Sequence, residues 1–264
     1  MQKIVLFGST GLGNSVLSSL AKIHDVNLEL VITNKYKGKY PYYREIELFR
    51  YCHKRKINYI TDVDVNEKII VNKLKAIKPD LIIVSSFNQI LRENFLSSFP
   101  VIINFHPSLL PKYRGASPFH GAILNGEKET GITVHHINSG IDTGNIIIQK
   151  SFKIDKYEMI NTLIKRSHKV ASQLAFEVIS KKLYKTPGIK HKEKGTYYNR
   201  PINMNQIKTG DDFCITINKI RAFGYFPGIL LENKLIKVRK ISVLGTEILL
   251  TDIKRKKYII KTES

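Results

Sequence analysis

Asn104 and His106 stand two residues apart at the end of the apolar run VIINFH. On an extended strand, residues at i and i+2 share a face, so the amide and the imidazole project together. Side by side, the two groups suit acyl transfer to an amine. The amide donates to a carbonyl oxygen as it gains charge, and a neutral imidazole takes the proton the amine loses. Asp142, in GIDTG, could orient the imidazole, stabilise its protonated form or hold an ordered water. Gly140 and Gly144 would let a tight turn carry it to the rim of the strand. Taken singly, each residue has a simpler role: a strand-end Asn, a capped His, a turn Asp. Composition and spacing leave both readings open.

The elements that must position these groups follow from periodicity. KIVLFG reads as a short buried strand, and STGLGNSVLSSLAK as a glycine turn entering a helix with Val16, Leu17 and Leu20 on one face. LELVITN, INYI, DLIIVSSF and VIINF read as further strands, separated by helical stretches at YYREIELFRYCHKRK and NEKIIVNKLKAIKP. Such alternation predicts an α/β fold with a mostly parallel sheet covered on both faces. Ligands of such sheets lie beyond the carboxyl ends of the strands, which is where Asn104 and His106 fall. GITVHHIN and NIIIQKSFKI read as strands on either side of SGIDTG. Residues 157–183 read as a helix about 40 Å long, with Leu163, Val170, Leu174 and Val178 in one stripe. KTPGIKHKEKGTYYNRP reads as a loop-rich boundary, giving a main domain over 1–184 and a small carboxyl-terminal domain over 185–264. The latter combines a helix at DDFCITINKIRAF with several short strands, an α+β, β-rich unit.

Other chemistry finds less support. Gly8, Gly11 and Gly13 depart from the G-x-G-x-x-G spacing, and Asn34 stands where a ribose-binding acid would close the second strand. A tight turn before a helix is the better reading, which argues against a nicotinamide dehydrogenase. His53, His120, His168 and His191 have no partners at ligand spacing and read as surface or satisfied core groups. His135 and His136 are neighbours on a strand and point to opposite faces, so no metal site is expected. No G-x-S-x-G elbow is present, and Ser108 follows a proline in a loop.

Of the 264 residues, 42% are hydrophobic, and the two cysteines form no redox spacing. MQKIVLFGST enters a strand without a signal-peptide layout, and no apolar run approaches the roughly 18 residues that span a bilayer. A cytoplasmic protein with no membrane partner is expected. The net charge of +21, nearly half of it beyond residue 184, fits a polyanion such as tRNA and equally fits small phosphate-bearing ligands.

Residues 104–149, NFHPSLLPKYRGASPFHGAILNGEKETGITVHHINSGIDTGNIIIQ, closely resemble the folate-dependent formyltransferases. This superfamily includes the methionyl-tRNA, glycinamide ribonucleotide and nucleotide-sugar enzymes and the hydrolase domain of formyltetrahydrofolate dehydrogenase. Asn-x-His, SLLPxYRG, ETGxT and DTG occur here in the family's order. The resemblance implies a Rossmann-like catalytic domain, 10-formyltetrahydrofolate as formyl donor, and Asn104, His106 and Asp142 as catalytic residues. By the same resemblance, folate would lie against SSFNQIL, with backbone of Gln89, Ile90 and Leu91 at the pterin edge. Phe87 would lie nearby, and Gly140 and Ile141 would close over it. The apolar residues among these also read as ordinary core. Arg114 could clamp a phosphate or carboxylate, or pair with an acid to hold its loop.

Two acceptors compete. A nucleotide-linked amino deoxysugar, for surface polysaccharide (lipopolysaccharide) synthesis, is the first. The methionyl-tRNA amine is the alternative, although NKYKGKYPYYREIELF lacks the GRGKK pattern of the tRNA enzymes and residues 185–264 are few for their terminal barrel. For the sugar, Ser108, Arg114 and Tyr197 and Tyr225 of the tail are the expected substrate contacts, with Tyr198 and Phe226 as further aromatic candidates to stack a base. A non-catalytic relative on the same scaffold stays open, as does the oligomeric state, a homodimer included.

Overall fold

A computed structural model of the chain describes residues 1–9, 11–35, 47–199, 201, 204–208, 211–225 and 227–262. Its first part alternates β1 (Gln2–Gly8), α1 (Leu12–Leu20), β2 (Val26–Thr33), α2 (Leu48–Arg55), β3 (Tyr59–Thr61), α3 (Lys68–Ile77), β4 (Leu81–Ser85), α4 (Glu93–Leu96) and β5 (Ile102–His106). Then follow α5 (Pro118–Leu124), β6 (Glu129–His136), β7 (Ile146–Lys153) and α6 (Ile160–Ser180). Seven strands form one sheet in the order β3-β2-β1-β4-β5-β6-β7. The neighbours from β3 through β5 pair in parallel, while β6 and β7 join antiparallel. Strand order reverses between β1 and β4, and Gly8 pairs with Ser85 at that switch.

Side-chain alternation sorts each strand between two cores. Ile4 and Leu6 of β1 and Ile103 and Phe105 of β5 pack with α1, α2, α5 and α6. Val5, Phe7 and Ile102 pack with α3 and α4 on the other face. Phe105 is buried at 1% exposure, so the residue between Asn104 and His106 anchors the strand. With Phe105 committed to one face, Ile102, Asn104 and His106 must project from the other.

One helix is shorter than periodicity predicts. The expected 157–183 helix spans Ile160–Ser180, about 31 Å at 1.5 Å per residue. Before it, Glu158 turns back on the Asp155 N–H and holds Arg166, so residues 155–158 form a knot instead of a first turn. The helix expected over YYREIELFRYCHKRK is described from Leu48, and residues 42–46 lie outside the described residues.

The remaining chain adds β8 (Gln206–Ile207), α7 (Phe213–Phe223), β9 (Ile229–Leu231), β10 (Lys234–Ile236), β11 (Val238–Leu244), β12 (Glu247–Asp252) and β13 (Lys257–Lys261). They form two three-stranded sheets, β10-β9-β8 and β11-β12-β13. Asp212 caps α7 through the Ile215 N–H, at 2.9 Å. The helix then lays Ile217, Ile220 and Phe223 into the apolar cluster that already holds α5 and α6. Among the described residues, no helix is long and apolar enough to cross a membrane.

Candidate active site

His106 closes β5, and its tautomer follows from one bond. Nε2 lies 2.8 Å from the Tyr113 carbonyl oxygen. A carbonyl only accepts, so Nε2 carries the hydrogen and Nδ1 keeps a lone pair. That lone pair lies 3.5 Å from Oδ2 of Asp142. Asp142 sits at φ 51° in the turn between β6 and β7, a conformation Asp tolerates better than most residues. Its carboxylate is held from two further sides: the Gly115 N–H donates to Oδ2 at 2.9 Å, and Asn104 Nδ2 donates to Oδ1 at 3.2 Å.

His135 completes the cluster. Cross-strand register pairs Asn104 with His135, which puts the two side chains on one face. The His135 Nδ1 hydrogen goes to the His136 carbonyl at 2.7 Å, so Nε2 accepts from Asn104 Nδ2 at 3.2 Å. That Nε2 is also 3.5 Å from Asp142 Oδ1. His136 points away and meets the Thr186 carbonyl, as the alternation of a strand requires. Among the described residues no group of three or more His, Cys, Asp or Glu could hold a metal.

The electrostatics separate the two titrating partners. Burial would raise the Asp142 carboxyl, but the neighbouring His106 and His135 rings and the Gly115 N–H outweigh it and hold the group well below the usual carboxylate range. Burial lowers the His106 pKa, against the opposing pull of Asp142 and the bond to Tyr113. The resting state is a charged carboxylate facing a neutral imidazole. Taking a proton on Nδ1 would turn an unfavourable contact between lone pair and carboxylate into an ion pair.

The other expected site residues divide. Phe87 is half-buried, its ring centroid 5.3 Å from that of Phe7, and Ile90 and Ile141 are 68% and 45% exposed. Gly140 is exposed at the start of the Asp142 turn. Leu91 commits its side chain to the core. Gln89 spends its amide on Val63 O and Val65 N, which pins the 86–91 loop and leaves its own backbone free of that duty. Ser108 corrects an expectation: it is 0% exposed, and its hydroxyl donates to the Lys112 carbonyl at 2.7 Å. It braces the loop and cannot face a substrate. Arg114 Nη2 donates to His191 Nδ1 at 3.0 Å, and no acidic partner of Arg114 is found among the described residues.

Tyr197 pairs with Arg114 as an isolated bridge. Its ring lies so close to Gly115 that a Cβ there would stand 2.7 Å from Cζ. Tyr198 packs edge-on against Tyr113, centroids 6.3 Å apart. Tyr225 follows α7 and shares no described contact with Asn104, His106, Asp142 or their partners, and Phe226 lies outside the described residues. The sequence reading placed His135 on a strand without a metal role and His191 as a surface or satisfied core group, and gave neither a place in the site. The usable signal for His135 was its place on the strand predicted next to Asn104; for His191 there was none.

A cavity of about 500 Å³ lies against the start of β5 and the flanks of the β6–β7 turn. Leu96, Phe99, Ile102 and Ile137 give it apolar walls, and Asn138 and Gly144 bring in the Asp142 turn. Ile102, one of its lining residues, lies two residues before Asn104 on the same face of β5.

Residues 2–179 match the family model described as formyl transferase. Methionyl-tRNA formyltransferase of Thermotoga maritima is 33% identical over 261 residues, covering 93% of this chain and 82% of that protein. Among solved structures, the N-formyltransferase from Helicobacter canadensis in complex with folinic acid and dTDP-3-aminofucose superposes with a TM-score of 0.70 at 24% identity, covering 99% of each chain. The sugar 3N-formyl transferase WlaRD, in the presence of dTDP and 5-N-formyl-THF, gives 0.71 at 23% identity over 99% of this chain and 97% of that one. These two likenesses establish a shared fold across the whole chain. With the family match over most of its length and the relative at 33% identity, the chain belongs to the formyl transferase family.

Proposed function

We propose that the protein moves a formyl group from 10-formyltetrahydrofolate to the amine of a nucleotide-linked amino deoxysugar, in service of surface polysaccharide synthesis. The observation that carries the acceptor is Tyr197. Its ring is 51% exposed and rests on Gly115, whose N–H holds Asp142. A planar, solvent-facing ring one residue from the catalytic carboxylate suits a base or sugar face. Similarity in shape to two sugar N-formyltransferases over nearly the entire chain supports the same reading. Residues 1–184 would hold the reacting groups, with the tail from 185 supplying the acceptor's platform.

The cavity that includes Ile102 supports a place for the donor next to β5. A reduced pterin has an apolar plane and a polar edge, matching walls of Leu96, Phe99 and Ile102. Phe87 and Ile137 pack against the same apolar cluster, and backbone of residues 89–91 and the Gly140–Ile141 turn would meet the polar edge. When bound, the donor supplies an activated formyl carbonyl. Asn104 then turns one Nδ2 hydrogen from Asp142 or His135 toward the carbonyl oxygen. The acceptor nitrogen bonds to the formyl carbon, its proton passes to Nδ1 of His106, and the bond to the donor nitrogen breaks. His106 returns the proton to that nitrogen, so no charge is left behind. Asp142 stabilises the transient imidazolium and holds the ring in place.

The methionyl-tRNA amine is the second reading, favoured by the 33% identity to a tRNA enzyme and by the +21 charge. An assay of 10-formyltetrahydrofolate against a panel of nucleotide-diphosphate amino sugars and charged initiator tRNA decides between them. The sugar reading expects saturable transfer to a nucleotide sugar with a weak salt response. A steep salt dependence with tRNA, reflecting several phosphate contacts, would replace it with the second reading. His106→Asn should reduce transfer by about 10²-fold or more while folinic acid still binds; unaltered turnover would sink the proton-acceptor role.

A further inference from the structure

The stretch that follows α6 pairs first with the start of β7 and then with the loop after His106. Ile189 exchanges two backbone hydrogen bonds with Ile146 at the start of β7, each 2.8 Å. Further on, the Thr196 N–H donates to Pro111 O at 3.1 Å and the Arg114 N–H to Thr196 O at 2.9 Å. The Tyr198 N–H then donates to Arg114 O at 2.8 Å. Gly195 presses on Pro111, where a Cβ would come within 2.2 Å of the carbonyl oxygen. Residues 189–198 thus lie as a strap over both loops that hold the site.

His191 sits between the two anchorages. Its Nε2 is 2.9 Å from the Gly144 carbonyl oxygen, and its Nδ1 is 3.0 Å from Arg114 Nη2. The carbonyl only accepts and the guanidinium only donates, so the ring is the neutral Nε2–H tautomer, bonded once in each direction. Burial and the adjacent Arg114 both favour this neutral form. Arg114 Nε is buried without a partner, which leaves the His191 bond as the side-chain tie of that guanidinium among the described residues. Gly144 lies two residues after Asp142, and Arg114 one residue before Gly115. The His191 linkage therefore brackets the 2.9 Å bond from the Gly115 N–H to Asp142.

We infer that His191 is a positioning residue for formyl transfer, clasping the Asp142 turn, through Gly144, to the loop after His106, through Arg114. Asp142 can support His106 only while these loops keep their register, and the strap fixes that register from outside the domain that carries the chemistry. The inference rests on the formyl-transfer reading above.

The test compares His191→Ala, His191→Gln and Asp142→Asn in transfer from 10-formyltetrahydrofolate to dTDP-3-aminofucose, with amide exchange at Gly115 as a second readout. His191→Ala should lower kcat ten-fold or more, change folinic acid affinity and acceptor KM by less than three-fold, and speed exchange of the Gly115 N–H. His191→Gln, whose amide can still donate to Gly144 and accept from Arg114, should recover most of the rate. The losses from His191→Ala and Arg114→Gln should not add, because both break one linkage. If His191→Ala leaves kcat and Gly115 exchange unchanged, or lowers only Tm, while Asp142→Asn abolishes transfer, the clasp is overturned and the reaction stands. Wild-type turnover by Asp142→Asn would instead overturn the reaction assignment itself.

Discussion

In the proposed reaction, His106 would act through an asymmetry of its two nitrogens. The Tyr113 carbonyl takes the Nε2 hydrogen, which leaves Nδ1, the nitrogen that faces Asp142, as the one that would take the amine's proton. Burial lowers the pKa of the ring from its ordinary 6.5, so the neutral form persists as pH falls below that value. Transfer should therefore hold steady down to pH 6.5 and decline only at lower pH, as the ring gains its proton. Asp142 pulls the pKa upward, so Asp142→Asn should shift the acid limb further down as well as cutting the rate by about 10²-fold or more. The pH dependence of kcat at saturating acceptor checks the rates, and a His106 ring that titrates above 6.5 by NMR would contradict the assigned burial effect.

At the scale of elements, the site depends on how closely the β6–β7 turn approaches β6. A Cβ on Gly144 would stand 1.8 Å from the His136 carbonyl oxygen, closer than any relaxation of the side chain could relieve. Gly144→Ala should therefore displace the turn that carries Asp142, and kcat/KM should fall at least ten-fold together with Tm. Gly126 offers the contrast. It also ends an element, but its added Cβ would meet only Asn218 at 3.4 Å, and its φ of 67° is the sole objection. Gly126→Ala should cost roughly 1 kcal/mol of stability and leave transfer intact. Equal loss of activity in the two variants would mean that the turn's position does not govern catalysis.

At the scale of the molecule, the tail and the main sheet share one core. The apolar cluster that begins at Ile4 extends through Ile220 and Val238 to Ile260. Arg221, 5% exposed, fastens α7 to the knot before α6: Nε donates to Glu158 O at 3.1 Å, Nη2 to Asp155 O at 3.2 Å, and Nη1 to Asn218 Oδ1 at 2.8 Å. Arg221→Met keeps much of the packing but strands those acceptors, and should destabilise the protein by about 2–3 kcal/mol in urea unfolding. One cooperative transition is expected, because no apolar boundary separates the parts. A variant that unfolds in two steps, or as stably as the wild type, would show that α7 is not held this way.

The strand and helix pattern was legible because periodicity is a local property of the chain. The same locality put Asn104 and His106 on one face, since i and i+2 alternate with a core residue, Phe105. Asp142 was legible only through its motif, because spacing alone leaves a turn carboxylate ambiguous. What neighbours in sequence cannot decide, the tertiary structure did. His135 reaches Asn104 through the antiparallel register of β5 and β6, a pairing made between residues 31 positions apart. His191 comes from a stretch without periodicity, whose role lies in bonds to Gly144 and Arg114. Ser108 looked available in a loop and is buried, because loop closure onto Lys112 consumes its hydroxyl. The sequence by itself put an amide and an imidazole together at one strand end and left open whether they serve chemistry or structure. Only the folded chain decided which atom of each group faces the reaction, because hydrogen-bond direction is set by partners brought from distant parts of the chain.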